Sequence, residues 1–327
     1  MLAEKFNRMA TDVARQFPEE LSRLTVVFGK TLAYLSPSLA AEMADKNYHA
    51  LKRNAVAEKI SADIGQITHD LADEPDIVGL ARKGDAIGDI LHIDVIALKK
   101  STDPGQTPQE KEMELVWRFD HEIGHQIVKN GFGDFSANLR ESAADAYAAF
   151  MHIRRYGPDT NFLKSHINGV EMFLMLLPEP EEHYTAFTIT RAREAAAEMG
   201  DRLSRLEPRE IAALAAKTAS ASAPDDESFK KMWTAYQPVQ ALFESAQTSG
   251  EVSGEELCQL IFSVMDQHRD EPATLKAGAL FLTSGEDMKK LADKTNPGWQ
   301  EKFGLTSPTP SPSPKAKMPL QAPVFSL

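Results

Sequence analysis

Two consecutive helices over residues 107–157, with their ends marked and only a short loop between them, constrain this 327-residue chain more than any other feature. Thr107-Pro108-Gln109-Glu110 is a capping box: threonine caps, proline takes the first helical position, and the glutamate three residues on reaches back. The helix is expected to run to about Asn130 and stop at Gly131, a residue suited to the position after a helix end. A Gly-Phe-Gly-Asp loop follows, then a second helix from about Ser136 to Tyr156, ended by Gly157-Pro158. The two must be joined by a tight turn, and the alanines of the second let it pack closely against the first.

Elsewhere the signals are coarser. In the first 75 residues Phe6, Met9, Val13 and Phe17 recur at spacings of three and four until Pro18, and Pro37 to Leu71 repeats the habit, so residues 1–75 read as an N-terminal helical region. After Pro75 glycines punctuate an Ile- and Val-rich stretch. In Ile90–Leu98, Leu91, Ile93, Val95 and Ala97 share one face, which predicts a half-buried strand paired as a hairpin with Ile77–Arg82. Periodic segments continue to about residue 216, KTASASAPDDES (217–228) reads as a linker, and residues 225–304 form a C-terminal helical region. Six prolines among residues 305–327 predict an extended, disordered tail, with partner binding through it as a further reading. The expected fold is α+β, mainly α, with a small antiparallel sheet in a core spanning residues 76–216.

A net charge of −12 argues against a general nucleic-acid partner, because phosphate contacts need clustered Lys and Arg. The longest clean apolar run, Met172–Leu177, is far short of the roughly 20 residues a membrane span needs and reads as core. The first residues lack a secretory apolar region, and a single cysteine, Cys258, excludes an intrachain disulfide. Cys258 itself reads as a buried small hydrophobe. The expectation is a cytoplasmic protein with no membrane partner.

The first marked helix contains His121-Glu122-Ile123-Gly124-His125. Histidines at i and i+4 project from one helical face about 6 Å apart along the axis, so both imidazoles can reach one zinc ion. Glu122, rotated about 100° from His121, is free to sit beside a water whose pKa zinc lowers toward about 7, and to take its proton. The bland alternative is a pair of solvated or core histidines. A catalytic site needs a third protein ligand. The second helix offers Glu141 and Asp145, again at i and i+4: Glu141 as the ligand, Asp145 as acceptor of the free N–H of His121. Asp134 in the loop is an alternative ligand, and a merely solvated acidic face is the reading without a metal.

His121-Glu-x-x-His125 followed by Glu141-x-x-x-Asp145 resembles the zincin superfamily of zinc metallopeptidases in its gluzincin arrangement. ESAADAYAAF also resembles the third-ligand stretch of the ImmA/IrrE family of regulatory metallopeptidases. The resemblance covers about Leu115 to Phe150; the 16-residue gap from His125 to Glu141 is short, and Arg118 stands where an apolar or small residue is usual. It implies zinc on His121, His125 and Glu141, Glu122 as general base, and a strand edge over the cleft to which a peptide adds. Ile90–Leu98 precedes the metal helix in the right order for that edge. An oxyanion donor or substrate clamp is also wanted, and His183-Tyr184 is the candidate pair. His152 falls on about the face of Glu141 and reads as a site neighbour or an interior histidine; His49, His69, His92, His166 and His268 read as structural. The function expected is a zinc-dependent metallopeptidase acting on a protein or peptide. A non-catalytic zinc-stapled interaction module and a zinc hydrolase of a non-peptide amide are the alternatives.

Overall fold

The computed structural model describes residues 2–28, 31–44, 79–83, 94–99, 105–131, 136–167, 183–249 and 253–305. Helix α1 (Leu2–Gln16) buries Phe6, Ala10 and Val13 along one face. Strands β1 (Leu24–Phe28) and β2 (Thr31–Leu35) come next, then α2 (Pro37–Ala44), β3 (Gly79–Lys83) and β4 (Asp94–Leu98). The strands form one sheet in the order β2-β1-β4-β3. Its two outer pairings are antiparallel and its central one, Leu24–Phe28 against Asp94–Leu98, is parallel. α1 packs on β1 and β2, while α3 (Pro108–Gly131) packs on β3 and β4. Phe6 ties these layers together, its ring stacked on Phe28 and tilted against Phe119 of α3.

The remaining elements are helical: α4 (Ala137–Tyr156), α5 (Asn161–Ser165), α6 (Ala186–Met199), α7 (Arg202–Arg205), α8 (Pro208–Ser222), α9 (Asp226–Ala235), α10 (Gln237–Ser249), α11 (Gly254–Gln267), α12 (Pro272–Leu282), α13 (Glu286–Thr295) and α14 (Trp299–Lys302). The chain is α+β and mainly α. No helix among the described residues is long and apolar enough to cross a membrane.

The marked helices form with their expected ends. At the start of α3 the Thr107 N–H donates to Glu110 Oε2 at 2.9 Å, and the Glu110 N–H donates to Thr107 Oγ1 at 3.2 Å. Ser136 caps α4, accepting from the Leu139 N–H, and Gly157 ends it at φ +89°. The hairpin of β3 with β4 also forms.

Three expectations need correction. The region read as wholly helical over residues 1–75 contains β1 and β2. Leu24, Thr25, Val26 and Val27 are all buried, so β1 shows none of the alternation that marks a half-exposed strand. The strand expected at a sheet edge, Ile90–Leu98, is described over Asp94–Leu98 as β4 and lies between β1 and β3. Both its backbone edges are paired, so it cannot accept a peptide, and among the described residues β2 and β3 are the outer strands. The linker read over 217–228 is mostly helix: α8 runs through alanine-rich residues to Ser222, and α9 restarts at Asp226 with Asp225 accepting the Ser228 N–H at 2.7 Å. The rest of Pro37–Leu71, residues 90–93, Met172–Leu177 and the proline-rich tail from 306 lie outside the described residues.

Two apolar cores result. The first joins α1, the sheet, α3, α4 and α8. The second is built from α9 to α14, with Tyr184, Ala186 and Phe187 joining it from the start of α6, while Ile189, Ala192 and Ala196 of the same helix face the first. The buried Cys258 belongs to the second.

Candidate metal centre

α3 and α4 approach closely because both are lined with small residues at the crossing. A Cβ built on Gly124 would lie 2.8 Å from the Ala144 Cα, closer than any side chain tolerates, and Ala143, Ala146 and Ala148 are fully buried alongside. That approach lets one turn of α3 and one turn of α4 share a point. His121 Nε2 and His125 Nε2 are 3.0 Å apart, and Glu141 Oε2 is 3.4 Å from the first and 3.2 Å from the second. Ligands at about 2.0–2.1 Å from a tetrahedral ion stand about 3.3 Å from one another, so the three separations fit one ion. His121, His125 and Glu141 are a group able to hold a metal. Glu141 Oε2 is buried and takes no well-formed hydrogen bond, which is what a ligand oxygen looks like without its ion.

The surroundings fix His121. Its Nδ1 lies 2.6 Å from Asp145 Oδ1, and the Thr185 hydroxyl donates to Asp145 Oδ2 at 2.5 Å. With Nδ1 protonated toward the carboxylate, Nε2 is left facing the metal position. Burial opposes charge on both partners, but their attraction and hydrogen bond outweigh it. His121 is held well above its ordinary pKa and Asp145 below its own. Burial likewise pushes Glu141 up, and the two imidazoles outweigh it, keeping the carboxylate ionised.

Glu122 is 8 % exposed and makes no hydrogen bond or ion pair with a described residue. Of the candidate donor pair, the structure brings only His183 to the triad: its half-exposed side chain places Nε2 3.4 Å from Glu141 Oε2. Tyr184 is 1 % exposed, and its ring packs with Phe187 and Phe229 in the second core. Asn138 Nδ2 donates to the Tyr184 carbonyl at 3.3 Å, anchoring this segment to α4. His152 and His166 both pack around Trp117, among the aromatic rings behind the site. Asp134 lies outside the described residues, as do His49, His69 and His92. Thr185 has no sequence signal, because only folding places it beside Asp145.

The chain matches no protein-family model, no curated protein and no solved structure. The geometry therefore has to carry the functional reading.

Proposed function

We propose that this chain is a zinc-dependent metallopeptidase of zincin type. The observation that supports it most is the convergence of His121 Nε2, His125 Nε2 and Glu141 Oε2 on one point, with the Glu122 carboxylate, which has no ion pair among the described residues, on the same turn of α3. Two imidazoles and a carboxylate are a donor set that suits zinc and leaves a fourth position open. An ion held there supplies Lewis acidity, polarising a substrate carbonyl and lowering the pKa of water toward about 7.

The chain's own residues do the rest. Asp145, itself held by Thr185, keeps the His121 ring in one tautomer and orientation. Glu122 takes the proton of the attacking water and passes it to the leaving amine. His183, half-exposed beside Glu141, donates toward the oxygen that gains charge as the carbonyl becomes tetrahedral. The backbone of β3, which among the described residues is an outer strand and packs against α3, is the edge to which an extended peptide adds.

Glu122→Gln should keep one equivalent of metal while peptide hydrolysis falls by several orders of magnitude. His125→Ala should lose the metal, as elemental analysis of the purified variant would show. Hydrolysis by Glu122→Gln at the wild-type rate discards the general base. A metal-loaded wild-type chain that cleaves no peptide favours the stapled, non-catalytic module instead.

A further inference from the structure

On the opposite side of α3 from the triad lies a second recess, a cavity of about 510 Å³ between α1, α3, α4 and the start of α8. At about 100° per residue, Phe119, Asp120 and Ile123, which line it, are turned away from His121 and His125. The volume is that of a small-molecule site, and Met9, Val13, Phe119 and Met151 make much of its wall apolar.

Its charges are mostly spoken for. The Arg155 guanidinium forks onto the buried Asp120 carboxylate through both terminal nitrogens. Arg15 pairs with Asp12 at the rim. Glu207 accepts from Gln16 and from the first turn of α8. Two groups are left over. Arg154 is half-buried and has no ion pair or hydrogen bond among the described residues. Tyr147 is 1 % exposed, yet its hydroxyl has no hydrogen-bond partner among them. A hydroxyl that lines the recess without a protein partner among the described residues is a donor open to a ligand.

We propose that this cavity binds a small organic monocarboxylate with an apolar body, its carboxylate held by Arg154 and the Tyr147 hydroxyl. The planar guanidinium matches a carboxylate, and the phenol supplies a neutral donor beside it. Burial, then the nearby Asp120, push the Tyr147 phenol up, so it stays protonated and can donate. Three arginines and three acids line the recess, so its formal charge is zero. Arg154 is the one of these cations without an ion pair among the described residues, which suits a single negative charge, and a compact dianion such as phosphate would meet Asp12 and Glu207 without filling the apolar wall.

Calorimetric titration of the full-length chain with octanoate tests this independently of any metal or peptidase activity. One saturable site is expected, with Kd below about 1 mM. Octanamide, the same body without the charge, should bind at least about tenfold more weakly to the wild-type protein. Arg154→Gln should weaken octanoate by about tenfold and Tyr147→Phe by about threefold, with circular dichroism confirming that each variant is folded. The proposal is overturned if octanamide equals octanoate, if folded Arg154→Gln binds like wild type, or if no saturable binding occurs up to about 10 mM. Displacement of octanoate by an equal concentration of inorganic phosphate would overturn the need for an apolar body.

Discussion

His152 shows how burial, reinforced by nearby positive charge, lowers a histidine's titration. It is 1 % exposed, its Nε2 faces Thr160 Oγ1 at 2.7 Å, and its ring packs against Phe162 and Trp117. Burial first, then the positive Arg155 nearby, lower its pKa to about 4. In the unfolded chain the same imidazole titrates near about 6.5. Between those values the unfolded state takes up a proton that the native state refuses. The stability His152 contributes is therefore fully present above about pH 6.5 and lost as pH falls toward 4. Comparing wild type with His152→Gln by denaturant unfolding should show a shift of about 2 kcal/mol in the variant's favour between pH 7 and pH 4.5. Parallel stability curves over that range would show that His152 does not titrate in this way. The contrast with His121, only 31 residues earlier in the chain, is instructive. Both are buried, but His121 meets Asp145 and is raised, whereas His152 meets a hydroxyl and is lowered.

At the scale of elements, the triad depends on how closely α3 and α4 approach. Gly124→Ala improves helix propensity by about 1 kcal/mol, but the new methyl would sit 2.8 Å from the Ala144 Cα and 3.1 Å from its carbonyl oxygen. Backbone cannot swing aside as a flexible side chain does, so the helices must separate. A net loss of about 1–3 kcal/mol is expected, with a weaker hold on a metal ion because Glu141 moves away from both histidines. Denaturant midpoints and competition with a chelator would measure the two effects; unchanged metal affinity would mean that the contact does not set the triad. The helix pair was legible in sequence because its signals are local. Thr107, Glu110, Ser136 and Gly157 act within a turn of the ends they mark, and spacings of four put both histidines on one face and both carboxylates on another. The inner place of β4 was not legible, because alternation reports which face is buried and says nothing of which strands lie alongside.

Across the whole molecule, α6 belongs to both cores. Ile189, Ala192 and Ala196 pack into the first, while Phe187 sits among the aromatic residues of the second, in ring contact with Tyr184. The segment just before it carries His183 and Thr185 to the triad, so the second core braces the site from outside the two helices that build it. Phe187→Ala should cost about 3 kcal/mol and lower the unfolding transition of the C-terminal helices below that of the first core. Resolving the fluorescence of Trp233 and Trp299 from that of Trp117 would follow the two separately, and a transition that stays single would show that α6 is not the point of coupling. The ends of α3 and α4, and the faces on which His121, His125, Glu141 and Asp145 stand, are written in the chain order, since each follows from contacts between residues about a turn apart. Folding in three dimensions alone makes these faces converge, sets Thr185 on Asp145, turns Tyr184 into a core while His183 meets Glu141, and brings Arg154 and Tyr147 to one recess. Those outcomes depend on close packing between segments far apart in the chain, where a methyl group or a paired strand edge settles what spacing leaves open.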